Sequence, residues 1–335
     1  MIKVGLNGYG RIGRLVHRIL LKENKNIQVV AINARSEDTQ MRAHLLKYDS
    51  LHGKLPNHIR GEGNKVLIDD QSVTCLAVKD AREIPWTDHG VDIVLECTGK
   101  AKTYEMAARH LESGIKKVLV SAPMKDDTPT FVMGVNDEDF KPEYKVISNA
   151  SCTTNCIAPL IKLVNERWGI NTASVSSIHS FTHSQNLLDN SNRDLRRARS
   201  AVQSVIPTTT GAVKATEHII PELKGKLDGM AYRVPIATSS MADIVLHLKK
   251  ETSKDEINAF FRTIARNPKY EAIIDYSDEP LVSIDYKGNP HSSIIDTQLT
   301  QVIQGTTVKL VAWYDNEFGY ANRVVDMLGL MGEPS

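Results

Sequence analysis

Little in this sequence is extreme, and each shortage removes a class of protein. Four cysteines in 335 residues are too few for a scaffold stapled by disulfides. Lys and Arg total 41 against 40 for Asp and Glu, a net charge of +1, which argues against a dedicated nucleic-acid binder. Only 20 glycines and 13 prolines exclude collagen-like and Pro/Gly-rich disordered chains. No run approaches the ~20 apolar residues that cross a bilayer, so no membrane is expected. The opening MIKVGLNGYG lacks the charged, apolar and small-residue order of a secretory signal. No second cysteine pair accompanies Cys152 and Cys156 at zinc spacing, so no metal is expected. What remains is an ordinary globular mixture, 41% hydrophobic and 24% charged, long enough for about two domains. A soluble cytoplasmic protein with reduced thiols is the expectation.

The first third alternates short apolar strands with helical stretches. Strands are expected at Ile2–Asn7 and Ile27–Asn33, and again in VDIVLECTG from Val91 and KKVLVSAP from Lys116. Helices are expected at 13–21 and 104–112. Continuous apolar strands separated by helices indicate a parallel sheet covered on both faces. Beyond residue 150 the pattern changes. Thr307–Tyr314 alternates clearly, Ser239–Lys249 only partly, and Val282–Tyr286 and Ser293–Thr297 read as further short strands. This half is expected to be mainly antiparallel, with helices near 153–167, 210–219 and 253–266 on one face and a last helix at 317–331.

Asn7 to Arg14 reads NGYGRIGR, a G-x-G-x-x-G directly after a strand and opening a helix. Gly8, Gly10 and Gly13 suit a tight turn, close approach to a pyrophosphate and close helix–strand packing. The helix N-terminus adds free N–H groups and positive dipole. A carboxylate about 20 residues on normally holds the ribose 2′-OH of NAD. Here the second strand ends Asn33-Ala34-Arg35-Ser36, with acids only at Glu37 and Asp38. Ala34 leaves room for a 2′-phosphate and Arg35 could pair with it, a lean toward NADP. The blander reading makes Arg35 a solvated loop residue.

Cys152 lies in SNASCTTNC, after a strand and before an apolar-periodic run, so it falls at a helix start. There the dipole is expected to favour thiolate and lower the thiol pKa from ~8.5, giving a nucleophile for carbonyl carbon. Cys75, Cys97 and Cys156 read as small buried hydrophobes. Of eleven histidines, His179 ends a β-like segment where the chain enters a polar loop, a place for a general base or for a structural histidine.

These stretches, with LLKYDSLHGK at 45–54, DLRRARS at 194–200, TTTGAVKA at 208–215, YRVP at 232–235 and WYDNEFGYANRV at 313–324, are ordered and collinear over nearly the whole chain. It resembles the phosphorylating glyceraldehyde-3-phosphate dehydrogenases. The resemblance implies an α/β Rossmann-type dinucleotide domain (1–151 and 316–335) and an α+β catalytic domain (152–315) with a mainly antiparallel sheet. It implies Cys152 as nucleophile and His179 as base. Thr182 and Arg233 would hold the phosphate of glyceraldehyde 3-phosphate. Ser151, Thr153, Arg197, Thr210 and Gly211 would hold inorganic phosphate or substrate. Arg11 and Ile12 would flank the pyrophosphate, Ser121 would lie on the nicotinamide side, and Asn316 would orient the ring. Residues 181–202 resemble a loop at a subunit interface beside a neighbour's cofactor, and a homotetramer is implied.

The chain departs from the family's NAD-type pattern twice: Ala34 replaces the usual Asp, and Asn190-Ser191 the usual Leu-Pro. Together they favour NADP, with NAD the alternative, and add Ser191 as a cofactor residue. His183 and Ser184 also differ from common family residues. Two other readings are an erythrose-4-phosphate dehydrogenase, and a non-enzymatic redox sensor or RNA-binding protein. The intact TTTGAVKA weighs against the first and the +1 charge balance against the second.

Overall fold

The computed structural model describes residues 1–23 and 26–333. The chain divides into two compact units: 1–131, 138–150 and 321–335, and 132–137 with 151–320. Three details differ from the expected division. Ser151 and residues 316–320 belong to the second unit, as does the short excursion 132–137.

The first unit contains β1 (Ile2–Asn7), α1 (Arg11–Lys22), β2 (Ile27–Asn33) and α2 (Thr39–Lys47). A small hairpin, β3 (Tyr48–Asp49) with β4 (Gly53–Lys54), precedes three strands: β5 (Ile59–Glu62), β6 (Lys65–Ile68) and β7 (Gln71–Leu76). Then come β8 (Ile93–Glu96), α3 (Tyr104–Ala108), β9 (Lys117–Val120) and β10 (Val146–Ser148). The sheet order is β10-β9-β8-β1-β2-β7-β6-β5. All pairs from β10 to β7 are parallel, and β7-β6-β5 form an antiparallel appendix. Leu6, Val4, Ile32, Val94 and Leu119 are fully buried, as strands covered on both faces require. Because β1 sits between β2 and β8, strand order reverses there. The registers Asn7↔Asn33 and Asn7↔Glu96 put three polar residues side by side at the carboxyl ends of the strands. Such a reversal opens the crevice in which nucleotides bind.

The expected helix at 104–112 is α only to Ala108 and then a 3-10 turn, Arg109–Ser113, closed by left-handed Gly114. α1 begins two residues earlier than expected, at Arg11, and buries Gly13.

The second unit contains α4 (Cys152–Trp168), β11 (Ile170–Ser180), β12 (Ile206–Thr208), α5 (Ala212–Ile219), β13 (Leu227–Val234), β14 (Ser240–Leu248) and α6 (Lys254–Ile264). It continues with β15 (Ile274–Ser277), β16 (Ser293–Asp296), β17 (Gln301–Ile303) and β18 (Thr307–Tyr314). The sheet runs β12-β13-β11-β14-β18-β16-β15, with β17 on β18. It is largely antiparallel, but β11·β13 and β15·β16 are parallel. Val282–Tyr286 is not a strand. Residues 283–286 form a 3-10 turn, because the Asp285 carboxylate accepts from the Val282 N–H at 2.8 Å. The alternation there leaves Val282 and Ile284 exposed. The last helix, α7 (Phe318–Gly332), carries the chain into the first unit from Ala321 onward. Among the described residues no helix is long and apolar enough to cross a membrane.

Candidate active site

The first unit holds a cavity of about 1220 Å³, lined among others by Asn7, Gly8, Gly10, Asn33, Ala34 and Arg35. Its geometry explains the glycines. Gly8 has φ +101°, and a Cβ there would stand 2.8 Å from the Cys97–Thr98 backbone. A Cβ on Gly13 would stand 2.6 Å from the Gly8 carbonyl oxygen. At Gly10 an added Cβ meets nothing within 4 Å, so it would fill open space. Gly10 is also the N-cap of α1, and no side chain caps that end. A cradle that only a missing side chain keeps open, at an uncapped helix N-terminus, fits a pyrophosphate.

Arg11 and Ile12 are half-buried at the start of α1. Arg11 forms a bidentate pair with Asp49, its second bond 3.2 Å. Burial opposes ionisation of Asp49, yet Arg11 and the backbone donors of His52 and Leu51 hold its carboxyl at about 2. The Arg11 side chain is thus structural, and what it can offer a phosphate is its backbone. Ala34 is tied to β7 through its N–H to Leu76 O, 3.0 Å, while Arg35 is exposed at the cavity wall. Asp38, a carboxylate lining the cavity four residues after Ala34, caps α2 by accepting from Met41 N–H at 2.8 Å. Ser121, just past β9, donates its N–H to Glu96 O at 3.0 Å.

The second unit brings Cys152 and His179 together, Sγ to Nε2 3.4 Å, across 27 residues of chain. Ser151 is the N-cap of α4, accepting from Thr154 N–H at 3.1 Å, and this sets Cys152 in the first turn. His179 stands opposite Arg233 in the parallel β11·β13 ladder. The imidazole Nδ1 lies 2.7 Å from Ser180 O. A proton shared there leaves the Nε2 lone pair facing sulfur. Arg233 Nη1 lies 2.6 Å from Nδ1 and donates to Ser180 O at 3.2 Å.

The electrostatics correct one expectation. Burial pushes the Cys152 thiol up from its ordinary value, and Arg233 and Thr153 only partly counter it. The helix start does not outweigh burial at this thiol. Burial, then Arg233, brings His179 down to about 3. Both shifts favour the uncharged forms, a thiol beside an imidazole whose Nε2 can take its proton. Cys156, one turn deeper, is pushed by burial up to about 12.

Among the described residues Arg233 has no carboxylate partner, and its buried Nε has no hydrogen bond. A desolvated guanidinium with only neutral contacts is a receptor for an anion. Its own ionisation is weakened first by burial, and nearby Arg197 adds to that. Arg197 itself is half-buried and paired with Asp194, 3.3 Å. Thr182 bonds within its loop, Oγ1 to Ser184 Oγ 3.0 Å. Thr210 Oγ1 accepts from Ala212 N–H at 3.2 Å, and Gly211 is the uncapped N-cap of α5. Thr153 turns its hydroxyl to Tyr314 Oη at 3.0 Å. Ser191 is exposed, its N–H donating to Asn190 Oδ1 at 2.7 Å. Asn316 is bonded within the second unit: Oδ1 accepts from Ser180 Oγ (3.0 Å) and Ser240 Oγ (2.9 Å), leaving its N–H₂ as the group it can offer.

Sequence reasoning missed Tyr314, which spans Thr153 and Ser177 (3.1 Å) and meets the His179 ring edge-on at 6.0 Å. Its only signal was its place in WYDNEFGY.

A nucleotide cavity at a strand-order reversal in one unit, and a cysteine–histidine pair in the other, are the features of a dinucleotide-dependent dehydrogenase. Residues 2–104 match the family model "Glyceraldehyde 3-phosphate dehydrogenase, NAD binding domain", and 151–316 match its C-terminal domain. Glyceraldehyde-3-phosphate dehydrogenase of Geobacillus stearothermophilus is 50% identical over 327 residues, 97% of each chain. Glyceraldehyde-3-phosphate dehydrogenase 2 of Bacillus subtilis (strain 168) is 45% identical over 328 residues, 98% of this chain and 96% of its own. The Nostoc enzyme of that name is 46% identical over 336 residues, 99% of each. The chain belongs to the glyceraldehyde-3-phosphate dehydrogenase family.

Proposed function

We propose that this enzyme oxidises glyceraldehyde 3-phosphate in the presence of inorganic phosphate to 1,3-bisphosphoglycerate, reversibly, and uses NADP at least as well as NAD. The observation that carries it is the 3.4 Å approach of Cys152 Sγ to His179 Nε2 beside Arg233. The thiol adds to the aldehyde carbon, and its proton passes by way of His179 to the new oxygen, giving a hemithioacetal. His179 then removes that hydroxyl proton as hydride leaves the carbon, and a thioester remains on Cys152. The Gly8–Gly13 turn, Ser121 and Asn316 would hold a nicotinamide dinucleotide, which would supply the hydride acceptor. Inorganic phosphate attacks the thioester carbon, and the departing sulfur takes the proton back from His179. Arg233 and Thr182 bind the substrate's phosphate. Ser151, Thr153, Arg197, Thr210 and Gly211 serve the attacking phosphate, chemistry suited to hydroxyls, backbone N–H groups and a guanidinium.

The NADP reading rests on Ala34, Arg35 and the engagement of Asp38 at the α2 cap. It rests also on Ser191, which would act on a neighbouring subunit's cofactor. The exposed Leu187, Leu188 and Leu195, 65%, 70% and 82% accessible, support burial against a second copy and a homotetramer. We place the enzyme in the cytoplasm, where its four free thiols stay reduced. The test is kcat/KM for NADP and NAD at saturating aldehyde and phosphate, with erythrose 4-phosphate as competing aldehyde. A strong NAD preference removes the cofactor reading. Failure to form an acyl phosphate removes the reaction. Mass photometry checks the tetramer.

A further inference from the structure

Under the nucleotide cavity a hydrogen-bonded chain crosses the carboxyl ends of four adjacent strands. Val78 N–H donates to Asn33 Oδ1 at 2.9 Å. Asn33 Nδ2 donates to Asn7 Oδ1 at 2.8 Å. Asn7 Nδ2 donates to Glu96 Oε2 at 2.5 Å. From the other side, Trp86 Nε1–H donates to His110 Nδ1 at 3.1 Å, and His110 Nε2 meets the same Glu96 oxygen at 3.2 Å. Glu96 Oε1 accepts from Thr98 N–H at 2.8 Å and from the Thr98 hydroxyl.

The direction of every bond is forced. A backbone N–H and an indole N–H can only donate, so both ends of the chain push donors inward, and both arms finish on Glu96. Trp86 occupies the Nδ1 lone pair, which makes Nε2 the protonated nitrogen of His110. All the groups that reach the carboxylate are donors. A protonated carboxyl would aim its own O–H at one of them. Burial works to raise Glu96, but the bonds from His110, Thr98 and Asn7 outweigh it and hold the carboxyl below its ordinary value. Glu96 is 3% exposed and has no Lys or Arg partner among the described residues. It is therefore an anion whose direct partners among the described residues are neutral donors, and it lines the nucleotide cavity. In a sheet of this order the adenosine ribose is read at the end of β2 and the pyrophosphate at the β1–α1 turn. β8 lies on the opposite side of β1 from β2, and Ser121, which the family resemblance puts on the nicotinamide side, donates its N–H to Glu96 O at 3.0 Å.

We propose that Glu96 is the positioning charge of the cofactor site and biases it toward the oxidised dinucleotide, whose ring is cationic, over the reduced one, whose ring is neutral. The inference rests on the dinucleotide reading above. Only the ring differs in charge between the two forms, so a buried anion acts on their ratio of affinities, whereas a purely structural role acts on both alike.

The test is calorimetric titration of the full-length enzyme with the oxidised and the reduced form of whichever dinucleotide binds better, for wild type, E96Q and E96D. E96Q is expected to raise the Kd of the oxidised form more than that of the reduced form, the ratio changing on the order of tenfold, as for unit charges separated by roughly 10 Å at an effective dielectric near 20. E96D keeps the charge and is expected to hold the wild-type ratio within about threefold, even where both affinities fall. Equal weakening of both forms by E96Q makes Glu96 merely structural and overturns the proposal. If E96Q does not fold, a folded E96D that loses the ratio overturns it equally. Wild type binding neither form would instead overturn the dinucleotide reading.

Discussion

His17 offers a sharp test of how burial governs this protein's response to acid. It lies in α1, 2% exposed, with Tyr9 Oη 2.8 Å from its Nδ1. Burial lowers it to about 3, against ~6.5 in the unfolded chain. The native state thus binds fewer protons than the unfolded state between those two values. Stability from this group is complete above about pH 6.5 and is lost as pH falls toward 3. Between pH 7 and pH 5 the loss spans about 1.5 units at 1.36 kcal/mol each, or ~2 kcal/mol. His17→Gln removes the titration while its amide oxygen can still take the Tyr9 hydroxyl. The variant is expected to be ~1–2 kcal/mol less stable than wild type at pH 7, from altered packing and a poorer hydrogen bond. That deficit should vanish by pH 5. His179, also lowered to about 3, titrates in both proteins and cancels in the comparison. Urea unfolding followed by far-UV circular dichroism at pH 7, 6 and 5 gives the difference. Parallel pH curves for variant and wild type would refute the reasoning.

Five further variants test the two sites. Gly13→Ala pushes a methyl to 2.6 Å from the Gly8 carbonyl and should cost ~1–3 kcal/mol, read as a lower Tm. Gly10→Ala meets nothing, so its Tm should match wild type while the dinucleotide Kd rises at least about tenfold, from loss of close backbone approach. His179→Asn should lower kcat by ~10²–10⁴, the usual share of a general base, and Cys152→Ser should leave no thioester detectable by intact mass. Arg233→Ala should raise the KM of the aldehyde phosphate by ~10–100-fold, since it removes a charge-assisted contact. An unchanged KM would place the substrate phosphate elsewhere.

The parallel core was legible because its physics is local. β1 and β2 begin and end where their apolar runs do, and the glycine turn follows at once. The same rule misled at Val282–Tyr286, where two exposed apolar residues imitated a strand and one aspartate closed a turn. At Cys152 the helix start was readable but its depth was not, so the direction of the thiol shift came out reversed. Pairings across long separations left no local trace. Tyr314 reaches Thr153 across 161 residues, and Asn7 reaches Glu96 across 89. Asn316 was placed with the wrong unit because its partners, Ser180 and Ser240, are 136 and 76 residues away.

One feature of the first unit bears on how the protein is made. Its compact body includes residues from 321 onward. Lys117 Nζ donates to Met331 O at 2.6 Å, and a Cβ on Gly332 would strike the Ile2 side chain. The N-terminal strand thus finds this neighbour only after the whole second unit has been made. A ribosome adding about 5–20 residues per second leaves those edges bare for tens of seconds, while the second unit, held within one stretch from 151 to 320 apart from a six-residue piece made earlier, can finish first. Birth order and folding order are thereby inverted, and a chain truncated before α7 would keep its cysteine chemistry's framework but expose the seam that α7 closes.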